Sequence, residues 1–412
     1  MRNILLIAIL LFLQNGYTQD RIFTITSKDS LFDQPKYKSS IGANLKLNGY
    51  FDVFGGLNDS ETFNVGNIVV LGEQDDTSSL NFDLYQSQIK WETVFLTNKG
   101  EQIIGVVEGD FWGGNGHFRL RKAYVQSGHW QIGQNWNAFG DEYLWPNIME
   151  WEGPPSGIWL RSPHIKYSNT LRDHRWEYEI SFEAPINDYN SFDDLEPQLE
   201  EVDQITPDVV IAFKRKMDFG HLRLSGILRN IRYSYEGELD NFFGYGLSFT
   251  GIHFIERNNF QFQLVAGKGI TAYMTTLGGN GYDGFPNINN ELEATPSIGG
   301  WGSYEHFITP RLHTNVVFGF TRFFMNEVDR FIFGQSVVSN EELVLNGDYD
   351  QLHYYGIFNF MYDVFDKRMT IGLELNYGVK QIKYDGFINQ VFYDEQRSRD
   401  AMRISFGFMF FF

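Results

Sequence analysis

The sequence predicts an all-β chain: a transmembrane antiparallel up-and-down β-barrel of about 16 strands with an inward-folded constriction loop. Three observations predict it. Apolar residues take alternate positions over many segments of membrane-strand length. Short and long connections alternate along the chain. The chain closes on an aromatic comb that ends at Phe412.

Composition narrows the field first. The 412 residues contain no cysteine, which removes disulfides, thiol catalysis and Cys-based metal sites, and no cofactor is expected. A formal net charge of −19 argues against nucleic acid as a partner. Aromatics make up 17% of the chain, yet mean hydropathy is −0.31, as alternation of apolar and polar positions requires. Arg2, the apolar run from Ile4 to Leu13 and the small residues before Gln19 form a secretory signal over 1–18, too short to span a bilayer. Residues 19–42 are polar and irregular and are expected to be a periplasmic lead-in. The barrel is expected over 43–412, in the outer membrane of a Gram-negative bacterium, against lipid and lipopolysaccharide.

Candidate strands lie near 43–55, 81–94, 101–112, 117–127, 129–135, 157–168, 175–184, 207–218, 220–234, 242–254, 257–268, 294–307, 310–324, 350–364, 367–380 and 399–412. Thr97–Gly100, Ser127–Gly128, Asp218–Gly220, Glu256–Asn259, Thr309–Pro310 and Phe365–Lys367 carry the residues of tight turns. The long connections are 56–80, 136–156, 185–206, 269–293, 325–349 and 381–398. In the segment from Met369, odd positions Ile371, Leu373, Leu375 and Tyr377 are apolar, and even positions Thr370, Gly372, Glu374 and Asn376 are small or polar. Met402, Ile404, Phe406, Phe408 and Phe410 keep step with Phe412, the pattern by which the barrel assembly machinery recognises its clients. A secreted sandwich or propeller would also alternate, but its apolar face is sealed by another sheet and needs neither the loop rhythm nor the terminal aromatic.

The stretch His117–Tyr167 concentrates the chemistry. Phe118, Leu120 and Tyr124 share one parity, and Arg119 and Arg121 the other, which points the arginines at a wet lumen. Arg161, Lys166, Arg223 and Arg229 are further lumen candidates, with Lys214 and Lys216 sharing a parity of their own. Basic rings in a pore favour anions. Arg161 and Lys166 have opposite parity, so either a bulge at Pro163 resets the face or one of the two points away from the lumen. The loop 136–156 carries Trp136, Asp141, Glu150 and Glu152; folded inward, its acids would face the bases of the wall. The acids of 185–206 read as a solvated charge run. No GxSxG, HExxH or phosphate loop occurs, so no enzymatic activity is expected.

With Arg119, Arg121, Ala123, Tyr124, Gly133, Gln134, Trp136, Phe139, Pro146, Glu152–Gly153–Pro154, Arg161, Pro163 and Lys166–Tyr167 in this order, the stretch resembles the DcaP-like family of outer-membrane porins. The resemblance implies a 16-stranded homotrimer with a constriction loop and uptake of small, often anionic solutes such as dicarboxylates. Lys166 stands where the family has arginine, and Asn137 where it often has serine or threonine. Two other readings remain: a transporter of hydrophobic compounds, which needs an apolar lumen, and a structural or adhesive barrel with a closed pore.

Overall fold

The computed structural model describes residues 21–55, 57, 61–71, 77–114, 116–171, 173–189, 199–289, 291–335 and 342–412. The expected signal segment lies outside the described residues. Sixteen strands close into one antiparallel barrel. In chain order they are β1 (Tyr37–Phe54), β2 (in two segments, Ser79–Asp83 and Gln88–Leu96), β3 (Gln102–Asp110), β4 (Arg119–Ser127), β5 (Trp130–Trp136), β6 (Arg161–Thr170), β7 (Trp176–Glu183) and β8 (Asp208–Met217). They continue as β9 (Gly220–Tyr235), β10 (Glu238–Ile255), β11 (Asn258–Lys268), β12 (Pro296–Phe307), β13 (Leu312–Gln335), β14 (Glu342–Val364), β15 (Met369–Ile388) and β16 (Val391–Phe411). β16 pairs back onto β1, with Phe406 opposite Gly49, so the barrel is closed. Each predicted segment coincides with a wall strand.

The two faces of the wall follow from period two. On β15, Ile371, Leu373, Leu375 and Tyr377 are exposed outward, while Thr370, Gly372, Glu374 and Asn376 are buried inside. On β16, Arg403 and Ser405 point inward, and Arg403 clamps Asp52 of β1 at 2.6 and 2.9 Å. This seam ties the two ends of the barrel together with a bidentate charge-assisted pair.

Two expectations are corrected. The first strand starts at Tyr37 rather than 43, and the presumed irregular lead-in holds a further strand, Arg21–Thr26, which places Ile25 opposite Ser39. β16 pairs with β1 only from Asn44 onward, so the earlier part of β1 offers unpaired backbone groups that this strand satisfies. Second, the connections 325–349 and 381–398 are mostly the outer ends of β13 to β16. Beyond the hydrocarbon a ladder needs no apolar face, so the hydropathy signal stops while hydrogen bonding continues. The β15–β16 hairpin closes on Asn389 and Gln390, both with positive φ, in the manner of a two-residue I′ turn.

The core lies inside the barrel. Phe63, Val65 and Ile68 from the β1–β2 connection are buried, as are Phe139, Leu144, Ile148 and Ile158 from the β5–β6 connection. Ile270, Tyr273, Met274 and Leu277 follow from the β11–β12 connection. Phe323, Met325, Phe331 and Tyr349 on the inner faces of β13 and β14 back the last two connections. The inward apolar residues of these long strands are explained by loops folded against them.

Candidate functional site: the loop-narrowed lumen

The β5–β6 connection, 137–160, crosses the lumen. A peptide inside a barrel must find partners for its own N–H and C=O groups. On one side Ala138 N donates to Glu183 on β7 at 2.7 Å, and Arg223 and Ser225 on β9 donate to the carbonyls of Ala138 and Phe139 at 2.5 and 2.7 Å. On the other, Trp145 N donates to Gln261 on β11 at 2.9 Å, and Asn147 Nδ2 to Glu305 on β12 at 2.9 Å. Met149 N and Glu150 N donate to Glu374 on β15 at 2.7 and 2.9 Å, and Lys46 on β1 reaches Met149 O at 2.6 Å. The loop is thus pinned around most of the circumference and narrows the lumen.

Arg119 and Arg121 lie inside, but they meet carboxylates. Arg119 binds Asp110 at 3.0 and 2.7 Å. Arg121 binds Glu108 at 3.1 Å and Asp110 at 2.9 Å, with its guanidinium 4.6 Å over the Trp151 ring. A bulge sets this arrangement: Gly109 opposes Leu120 and Glu108 opposes Lys122, leaving Arg121 as the extra residue. Arg121 and Lys122 therefore both face inward, and Lys122 also reaches Glu108, at 3.2 Å. The parity reading of Tyr124 is overturned by the same bulge. Tyr124 opposes the inward Gly133, and Val125 takes the outer face, 50% exposed. Gly133 sits at φ 128°, where an added Cβ would lie 2.3 Å from the Ala123 carbonyl.

Of the two alternatives at Pro163 the register decides against a bulge: β5 and β6 pair without a shift from Arg161–Trp136 to Tyr167–Trp130. Lys166 is buried on the inner face. Arg161 keeps the parity of the exposed Ile165, and its guanidinium lies 4.6 Å over the ring of Trp136. Neither side chain makes an ion pair or a hydrogen bond among the described residues. Lys166, Asn137, Asp141, Tyr143, Glu179 and Arg223 line a pocket of about 10 Å³ of water-centre space, room for roughly one water.

On β9, Arg223 binds Glu179 at 2.8 Å, and Arg229 binds Asp208 at 3.0 Å and Asp283 at 2.5 Å. On β8, Lys214 and Lys216 share Glu177. Of the three loop acids proposed to face wall bases, Asp141 is the one in direct contact with such a base among the described residues. Its Oδ2 accepts from His221 and Thr250, each at 2.8 Å. Burial pushes Asp141 up, but His221, with Arg223 and Lys214 nearby, outweighs this and holds the carboxyl well below the usual range. Glu150 instead caps the backbone of Trp151 and Glu152 at 2.8 and 3.1 Å. Glu152 accepts from Thr62 at 2.8 Å and Asn64 at 2.6 Å, fastening the loop to the β1–β2 connection. Burial, with Glu150 adding to it and Thr62 opposing, pushes Glu152 up to about 7.

Sequence reasoning missed Glu108, Asp110, Lys122, Glu179, Asp208 and His221. The first two were findable: they share inward parity on the strand hydrogen-bonded to the one bearing Arg119 and Arg121. Of the acidic outer loop, Asp188 is buried and accepts from the N–H of Gly281 and Gly279 at 2.7 and 3.0 Å, so it anchors backbone rather than solvating it. Asp193, Asp194 and Glu196 lie outside the described residues.

A closed barrel with an apolar outer face and a polar, loop-narrowed interior is the architecture of outer-membrane channels of the porin class, and the outer membrane is where this chain resides. A family model described as "DcaP outer membrane protein" matches residues 17–182, so the family resemblance read from His117–Tyr167 is borne out. The outer membrane channel DcaP of Acinetobacter baumannii shares the fold with a TM-score of 0.65 at 15% identity, over 93% of this chain and 99% of that one. An anion-selective porin from Comamonas acidovorans gives 0.54 at 9% identity, over 91% and 100%. OmpT, an outer membrane protein of Vibrio cholerae, gives 0.52 at 8%, over 93% and 100%. No curated protein matches the chain by sequence.

Proposed function

We propose that this protein is a passive channel for small hydrophilic anions, dicarboxylates among them, that assembles as a homotrimer. One observation carries the anion reading. Arg119, Arg121, Lys122, Lys214, Arg223 and Arg229 are each in contact with a carboxylate, whereas Lys166 faces the narrowed lumen with no such partner among the described residues. A solute carboxylate passing through the lumen would supply the missing counter-charge, directly or through a water held in the pocket. Arg161, held against Trp136, is a second uncompensated positive charge on the same strand. The trimer rests on the family resemblance. The anion-selective porin of similar fold supports the anion reading without deciding it.

The test is the reversal potential of the purified protein in a planar bilayer under a salt gradient, for wild type and Lys166→Met. Anion preference that falls in the variant supports the reading. Cation preference in the wild type, or a reversal potential indifferent to the substitution, sinks it.

A further inference from the structure

The anion reading leaves unused a ladder of rings across the lumen. Tyr85 lies 6.4 Å from Trp112, Trp112 6.4 Å from Trp151, Trp151 6.3 Å from Trp145, Trp145 4.5 Å from Trp159, and Trp159 5.6 Å from Trp301. The four middle tryptophans are only partly buried. The two ends of the ladder differ. Trp151 is covered by cations, with Arg121 at 4.6 Å and Lys46 at 5.7 Å from its ring. No Lys or Arg lies over Trp145, Trp159 or Trp301 among the described residues.

That second end is built. Trp159 lies flat against the loop backbone: an added Cβ at Gly153 or Gly157 would stand 2.6 or 2.2 Å from its ring. Trp159 Nε1 donates to Leu144 O at 3.0 Å, which fixes the ring further. Beside it, the inner faces of β12 and β13 carry Ser297, Gly299 opposite Thr321, and Trp301. Ser156 of the loop packs on Gly299, its Cβ 2.5 Å from where a glycine Cβ would stand. Here Trp301 is 3% exposed and, among the described residues, its Nε1 has no hydrogen-bond partner; the hydroxyls of Ser156, Ser297 and Thr321 lack partners there too. Buried, unpaired polar groups cost free energy until a ligand or water satisfies them.

We propose that Trp145, Trp159 and Trp301 form a subsite for a neutral polyhydroxylated solute of the sugar class. The flat C–H face of a pyranose stacks on the partly exposed rings of Trp145 and Trp159, and its hydroxyls exchange hydrogen bonds with Trp301 Nε1, Ser297 and Thr321, which are covered in the unliganded protein and are uncovered as the solute binds. A carboxylate would find no cation there, and an apolar solute would leave the buried groups unpaired. The subsite does not depend on the anion preference of the channel.

Maltotriose is the probe. Wild type is titrated by intrinsic tryptophan fluorescence in detergent, which needs no conduction, and by block of ion current in a planar bilayer. Saturable responses in wild type are expected. Apparent affinity should fall at least fivefold in Trp159→Leu and in Gly157→Ala, which displaces the ring without removing it. Ser297→Ala with Thr321→Val, a milder pair that keeps the ladder, should weaken it two- to fivefold. A linear, non-saturating response in wild type overturns the proposal, as does an affinity unchanged in folded Trp159→Leu or, should that fail to fold, in the Ser297 and Thr321 pair.

Discussion

The lumen has two unlike sides. From β3 to β9 its wall is a mosaic of ion pairs: Asp110 with Arg119, Glu108 with Arg121, Glu177 with Lys214, Glu179 with Arg223, and Asp208 with Arg229. From β11 to β14 it is mainly amides and hydroxyls, with Gln261, Gln263 and Asn359 gripping the loop through its backbone. The difference teaches that basic residues on a lumen face do not by themselves make a basic pore. Matched charges cancel at a distance, and the field is left to the surplus cation of a cluster such as Arg119, Arg121 and Lys122 on two carboxylates and to the few groups without partners. The amide-rich side, which also carries His313 with Glu305 and Asp363 on its inner wall, places direction-dependent donors and acceptors where the loop must be held.

The comparison can be broken or sharpened in four ways. The largest effect is expected at Arg229→Met, which strands Asp208 and Asp283 in a buried site and should cost about 3–5 kcal/mol. Loss of heat-resistant migration on a semi-native gel at lower temperature would report it, and an unchanged transition would refute the pairing. Next, Arg119→Met with Arg121→Met should move the reversal potential toward cation preference further than Lys166→Met does, because it also uncovers Glu108 and Asp110. A smaller shift than that of Lys166→Met would show the two carboxylates to be protonated or shielded.

Third is pH. Glu152 titrates near 7 when the loop is docked and within the ordinary glutamate range when it is free. The docked state favours the protonated form. The contribution of this contact to docking is therefore complete below the ordinary glutamate range and is lost as pH rises through about 7. Current noise or closure events should rise between pH 5 and 8 in wild type and stay flat in Glu152→Gln. The smallest effect is expected at Gln263→Leu, which removes the contacts to Ser156 O and Ile158 N at 2.5 and 3.4 Å. About 1 kcal/mol of stability should be lost, read from the urea midpoint of folding into lipid.

Much of the wall was legible in the sequence. Alternation on β15, the comb ending at Phe412 and the turn residues of the hairpins are local signals, and each named its strand and face. The residues of the inward loop were legible as well, since Trp136 to Glu152 are too aromatic for an outward position. What each of them touches was not. Asp141 meets His221 and Thr250, Glu152 meets Thr62 and Asn64, and Glu150 turns back on its own backbone.

By itself, then, the sequence determined an outer-membrane barrel, its strand order and one of the segments that fill it, because period-two patterning and turn chemistry act between near neighbours. Only the tertiary structure decided which cations are free. A single extra residue at Arg121 turned Lys122 inward and Tyr124 with it, and the unbroken register at Pro163 put Lys166 inside and Arg161 on Trp136. Register is a property of two strands at once, and one residue of slip changes the face of every side chain beyond it.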